Sequence, residues 1–311
     1  MKNFVLRISV LLCTAAAFCS CGWEEFPESR LSQQEIPIEI QKDFFARNGG
    51  NVRVTDAYGT AVGSAVIYFE DPAGHPCQSE YQDGVWQLTL REFDRQAPGY
   101  DLPRAVADAF KALGFERYCP KSDDDRVAEF SRRGIGHKYY EFRFHTELGP
   151  DLYALHFVLI DEEGIVLENA NSYFNRMDWS TGHDGALDFI AGRYPGCDVR
   201  GLANDSGYDT FYIFHDGRLK RVRFQNNYQG NGYSAADGWR ETVWQLDDSL
   251  AVPEYVWEEF RARMAKNPES DRYEVSAVYY LETPRGDCFG LQGRVSATTL
   301  VTNWFAVRDE S

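Results

Sequence analysis

The chain carries two loose copies of one segment, and a duplication of that size constrains the fold before any residue is assigned chemistry. The first copy runs Asp83-Gly-Val-Trp-Gln-Leu-Thr-Leu-Arg-Glu-Phe-Asp94 and leads to Leu102-Pro103. The second runs Asp237-Gly-Trp-Arg-Glu-Thr-Val-Trp-Gln-Leu-Asp-Asp248 and leads to Val252-Pro253. Each spells a Gly-containing turn, a Trp-bearing strand closing on an acid, and a helix opened by Pro. Architectures built by copying commonly present binding surfaces, so the repeat speaks of scaffold more than of catalysis.

Around these copies the pattern predicts four units, each a short helix followed by strands. Helices are expected after Ile36-Pro37, after Leu102-Pro103, near His183 and after Val252-Pro253, with Val106, Phe110 and Leu113 and then Val256, Phe260 and Met264 as apolar stripes. Strand runs joined by turns such as His215-Asp216-Gly217 imply antiparallel pairing. The expected class is therefore α+β: tandem helix-plus-antiparallel-sheet units in two lobes, spanning 35–175 and 183–311.

Residues 1–20 have the form of a secretion leader. Lys2 and Arg7 begin it, a largely apolar run from Val5 to Phe18 follows, and Ser20-Cys21-Gly22 resembles the lipobox of bacterial lipoproteins. Cys21 is the expected lipidation site, residues 21–34 form an acidic tether, and the expected location is the bacterial outer membrane, on its periplasmic or its surface side. The formal net charge of −16 argues against nucleic acid and anionic head groups as partners, because both are held by clustered Lys and Arg. The membrane connection is the lipid anchor alone.

Specific stretches resemble the PepSY-like family, whose members are described as similar to β-lactamase-inhibitor proteins. The stretches are Phe189-Ile-Ala-Gly-Arg-Tyr-Pro195, Asp209-Thr-Phe-Tyr-Ile-Phe-His-Asp-Gly217, Gly238-Trp239, Leu246-Asp-Asp248, Val252-Pro253 and Tyr273-Glu-Val-Ser-Ala-Val278. The resemblance implies small tandem modules, exported or lipid-anchored, that bind or inhibit a partner. Insertions at Lys121–Arg126 and Asn226–Ala236 depart from it and are candidates for a private specificity.

Catalytic signatures are absent from the sequence: no Gly-x-Ser-x-Gly, no His-Glu-x-x-His, no phosphate loop and no dinucleotide fingerprint. The six His are scattered, Asp123-Asp124-Asp125 lacks the rest of a calcium loop, and neither metal nor cofactor is expected. Besides Cys21, the cysteines at 77, 119, 197 and 288 are compatible with bridges 77–119 and 197–288, one per lobe, or with free thiols. Alternation sets Trp86, Leu88 and Leu90 on one core face and sends Trp244 to a polar face with Arg240 and Thr242. Trp244, Arg240, Trp257 and Tyr139 are thus candidate binding residues, joined by Arg221 and Arg223 from the basic run Arg218–Arg223. The function expected is non-catalytic binding of an envelope protein or peptide, with inhibition as one form of it. The alternative is a surface module that stacks glycans or small ligands on exposed Trp and Tyr.

Overall fold

A computed structural model of the protein describes residues 29–30, 35–59, 63–93, 102–115, 126–149, 152–171, 184–205, 208–225, 238–246, 252–266, 274–294 and 302–308. The leader, Cys21, Cys119, Asp123–Asp125 and the insertion at 226–236 lie outside the described residues.

The described chain is dominated by strands. The first sheet contains β1 Ser29–Arg30, β2 Arg53–Gly59, β3 Ala65–Glu70, β4 Pro76–Gln82, β5 Val85–Phe93, β6 Arg126–Arg132, β7 Tyr139–Gly149, β8 Leu152–Asp161 and β9 Val166–Asn171. The second contains β10 Asp198–Asp205, β11 Tyr208–His215, β12 Arg218–Gln225, β13 Trp239–Gln245, β14 Glu274–Glu282, β15 Cys288–Arg294 and β16 Thr302–Arg308. Each is a meander in which every strand pairs its sequence neighbour antiparallel. Four short helices accompany them: α1 Ile38–Asn48, α2 Arg104–Ala112, α3 Asp184–Arg193 and α4 Glu254–Met264.

This corrects the expected class. The fold is β-rich, with two large continuous sheets in place of separate helix-plus-sheet units. The expected seams between units are ordinary ladder. β5 pairs β6 from Leu88↔Arg132 to Phe93↔Val127, and β13 pairs β14 from Thr242↔Glu282 to Gln245↔Tyr279. Backbone donors and acceptors at those places are satisfied by the next strand, so no sheet edge separates one unit from the next.

Local chemistry explains the elements. Pro37, Pro103 and Pro253 precede α1, α2 and α4 in extended conformation, and their carbonyls accept from Gln41, Ala107 and Val256 at 3.0 Å. The buried stripes are Ile40 and Phe44, then Val106 and Phe110, then Val256, Phe260 and Met264. Asp83-Gly84 and Asp216-Gly217 both adopt positive φ, as two-residue hairpin turns between strongly twisted strands require.

The two copies share a β-bulge that the alternation count missed. In β5 the register passes from Tyr81↔Trp86 to Glu80↔Leu88 and skips Gln87. In β13 it passes from Phe224↔Trp239 to Arg223↔Glu241 and skips Arg240. The skipped residue reverses the alternation. Trp86 therefore shares a face with Thr89, and its indole donates to Thr89 Oγ1 at 3.0 Å; Trp239 likewise donates to Thr242 Oγ1 at 3.1 Å. Arg47 of α1 lies 4.2 Å over the Trp86 ring, and Arg193 of α3 lies 4.3 Å over Trp239. Leu88 and Leu90 are released to the opposite face.

That opposite face is where the sheets meet. Leu88, Leu90, Phe130, Tyr139, Phe157, Leu159 and Leu167 of the first sheet pack with Ala203 and Tyr212 of the second. Val127, Tyr140, Phe142, Val158 and Ile160 point the other way, onto α2, while Leu202, Phe211, Ile213 and Val222 point onto α3. The helix-free faces thus form the middle of a layered body. Gly201 lies at a close approach of the two sheets, since a Cβ there would lie 2.7 Å from Leu167 Cδ1.

The expected 197–288 bridge is absent, and the strand order gives the reason. Cys197 abuts β10 while Cys288 is on β15, roughly five spacings of ~4.8 Å across the sheet. A disulfide tolerates a Cα separation of no more than about 7 Å. Cys77 is also a thiol, and burial pushes its pKa up to about 12, so it is protonated and unreactive.

Candidate functional site

The candidate site is a cleft of about 320 Å³ where the last strand of the first sheet passes the face of the second. Val166, Leu167, Glu168 and Asn169 of β9 form one wall. Arg218, Leu219 and Arg221 of β12, Val243 and Gln245 of β13, and Tyr279 of β14 form the other. β9 is the terminal strand of its sheet, and no strand among the described residues pairs its outer edge. Such an edge offers unpaired main-chain donors and acceptors alongside the cleft.

The second-sheet wall is set by register. Arg221 stands opposite Val243, and Gln245 opposite Tyr279, which brings these side chains to one face. Glu168 reaches across from β9, 3.5 Å from Arg221 Nη1, and accepts from Tyr212 Oη at 2.9 Å. Burial alone would lower the Arg221 pKa, but the Glu168 carboxylate and the phenols of Tyr212 and Tyr279 hold it above its ordinary value. Burial raises the Tyr279 pKa, and its hydroxyl donates to Gln292 Oε1 at 2.9 Å. The cleft is thus a polar slot with a fixed cation, a carboxylate and a neutral phenol. No group of three His, Cys, Asp or Glu among the described residues could hold a metal ion.

The residues expected from sequence are distributed unevenly. Arg221 lines the cleft, and Trp244 borders it without serving as an exposed anchor. The bulge at Arg240 turns Trp244 to the helix side with Thr242, where it is 8% exposed between Lys220 Nζ at 4.5 Å and the Tyr280 ring at 4.9 Å. Tyr139 is 1% exposed, because the face of β7 opposite α2 meets the second sheet instead of solvent. Trp257 is half-buried against Phe260 in the α4 core. Arg240 is exposed at the bulge, away from the lining residues. Arg223 pairs with Glu241 at 3.1 Å and covers Tyr208. Sequence reasoning missed Glu168, Asn169 and Tyr279. Nothing in their local pattern separates them from other strand residues, since only the docking of two sheets assembles them.

No known family profile matches the chain, and no curated protein matches it. Among solved structures it is similar to a DUF2874 family protein from Bacteroides ovatus, with 16% identity and a TM-score of 0.32 over 43% of this chain and 86% of that one. It is also similar to a proposed periplasmic protein from Bacteroides eggerthii, with 15% identity and a TM-score of 0.31 over 43% of this chain and 88% of that one. Likenesses this slight assign no function.

Proposed function

We propose that this is an exported, non-catalytic binding protein that holds an extended segment of a protein or peptide partner along β9. The observation that carries the reading is the cleft itself, with an open edge strand on one side and Arg218, Arg221 and Tyr279 on the other. Main-chain pairing supplies affinity that is indifferent to sequence, and side-chain pockets beside it supply selectivity. Arg218, exposed at the cleft, favours a carboxylate in the bound segment, and Tyr279 offers a rigid aromatic surface. The glycan alternative loses its chief residue, because Trp244 is buried.

An envelope address agrees with the described setting of the Bacteroides eggerthii neighbour. The finer address, acylation of Cys21 and anchorage in the outer membrane, rests on the leader and its lipobox.

Selection of a random linear peptide library on the mature chain tests the reading. Enriched peptides should bind in the micromolar range and be acidic near one end. Arg218→Glu together with Tyr279→Ala should weaken them about tenfold or more, equivalent to ~1.4 kcal/mol. Trp257→Ala, on α4, should leave them unaffected. Failure to enrich any peptide, or indifference of the enriched ones to the cleft substitutions, would sink the proposal.

A further inference from the structure

A second concavity, of about 470 Å³, lies at the turn from β6 to β7, and it is basic in a chain whose net charge is −16. Arg47, Arg132, Arg133, His137 and Lys138 line it with Val85, Trp86, Ser131 and Ile135, and no Asp or Glu is among its lining residues. The turn is held rigidly. Arg133 N donates to Gln87 O at the bulge at 2.9 Å, Ile135 N donates to Arg132 O at 3.2 Å, and Gly134 has φ +75° with Leu187 packed where a Cβ would stand.

The carboxylates that balance these cations stand outside the lining. Asp43 accepts from Arg47 at 2.7 Å, Glu129 from Lys138 at 2.8 Å, and His137 lies 3.1 Å from Asp198 and 3.4 Å from Glu162. Arg132 Nε donates to Tyr139 Oη at 2.7 Å. The opening is thus faced by cations, with Trp86, Val85 and Ile135 as its apolar part. Its volume is that of small-ligand pockets, about 300–1,000 Å³.

The internal repeat shows where the two copies differ. Thr89 pairs with Ser131 in the first sheet, and its counterpart Thr242 pairs with Glu282 in the second. In the second copy Glu282 Oε2 lies 3.0 Å from Arg193 Nη2, the arginine stacked on Trp239, and accepts from Tyr194 Oη at 2.5 Å. In the first copy Arg47 is stacked on Trp86 in the same manner, but its carboxylate is Asp43 of α1, which also accepts from Tyr81 Oη at 3.0 Å, and the strand position that matches Glu282 is Ser131. Trp239 is buried beneath Phe189, whereas Trp86 is half-buried and lines the opening. Both copies pair the stacked arginine with a carboxylate that also accepts from a tyrosine, Glu282 on a strand in one and Asp43 on α1 in the other, and only the first copy leaves the strand position beside the arginine to a small residue that lines an opening.

We infer that the Arg47–Trp86–Ser131–Arg133–Lys138 concavity binds a small anionic ligand, a carboxylate or phosphate borne on an apolar or aromatic body. The anion lies over Ser131 among Arg133 and Lys138, and the ring packs on Val85, Trp86 and Ile135.

Titration of the full mature chain with inorganic phosphate, phenyl phosphate, benzoate and succinate, followed by calorimetry, tests this. An aromatic anion should bind, and the phosphate and carboxylate members of the panel distinguish the two anion sources. Arg133→Gln with Lys138→Gln should weaken it at least tenfold, and raised salt should do likewise. The decisive variant is Ser131→Glu, which places a carboxylate among the lining cations. It should abolish binding while leaving the melting temperature unchanged or raised. Absence of binding by all four probes up to millimolar concentration overturns the inference. So does binding that survives Ser131→Glu, since that would be surface charge alone.

Discussion

Asp161→Ala should lower the unfolding free energy by about 3–5 kcal/mol, the cost of leaving buried ionic and amide partners uncompensated. The Asp161 carboxylate is fully buried at the junction of the two sheets. One oxygen accepts from the backbone of Glu163 at 3.0 Å and Ile165 at 2.8 Å, which shapes the β8–β9 turn. The other lies 3.3 Å from Arg200 Nη1 on β10, in the second sheet. Alanine would remove the shared acceptor of two amides in the β8–β9 turn and one of the three carboxylates around a guanidinium that is 13% exposed, with Asp198 and Glu163 as its remaining partners. At ~2–4 °C per kcal/mol for a chain of this size, the melting temperature should fall by on the order of 10 °C. Asp161→Asn keeps an acceptor for the two amides and should lose clearly less. Equal, small losses in both variants would mean that the junction is not organised around this carboxylate.

Tyr139→Ala should cost about 3–5 kcal/mol of stability, as large-to-small truncation of a buried aromatic does. Its ring stacks on Phe130 with centroids 5.3 Å apart and an interplanar angle of 6°, and its Cγ lies 3.6 Å from where a Cβ on Gly201 would stand. Its hydroxyl also accepts from Nε of the buried Arg132, so Tyr139→Phe should cost about 1–3 kcal/mol by removing that acceptor. Chemical denaturation measures both. The same substitutions in a surface anchor would weaken binding and leave stability unchanged, so the pair of readouts separates a core role from the accessible strand face expected from alternation.

Much of the scaffold was legible because it is local. Pro before three helices, Val256-Phe260-Met264 at helical spacing and Asp-Gly turns act within a few residues of themselves. The merging of units into two sheets was not, since pairings such as Leu90↔Phe130 join segments far apart along the chain. The bulges had a signal that went unread: Trp86-x-x-Thr89 and Trp239-x-x-Thr242 match only if one residue is skipped, and counting by two placed Trp244 on the wrong face. The basic turn Arg132-Arg133-Gly-Ile-Gly-His137-Lys138 is a charge cluster in the sequence, as is Arg218–Arg223. In that run Lys220 is buried over aromatic rings, while Arg221 and Arg223 are paired with Glu168 and Glu241. For the cleft, Arg221 could be nominated from sequence, but its partner Glu168 belongs to the other sheet and could not.

The central functional claim is that a partner lies along β9, and site-specific photo-cross-linking in the intact envelope tests it most directly. A photoreactive residue at Asn169, exposed on β9, should yield a discrete adduct that disappears with Arg218→Glu. The same group at Glu258, exposed on α4, should yield none. An adduct from Glu258 with none from Asn169, or adducts at Asn169 indifferent to Arg218→Glu, would contradict the account.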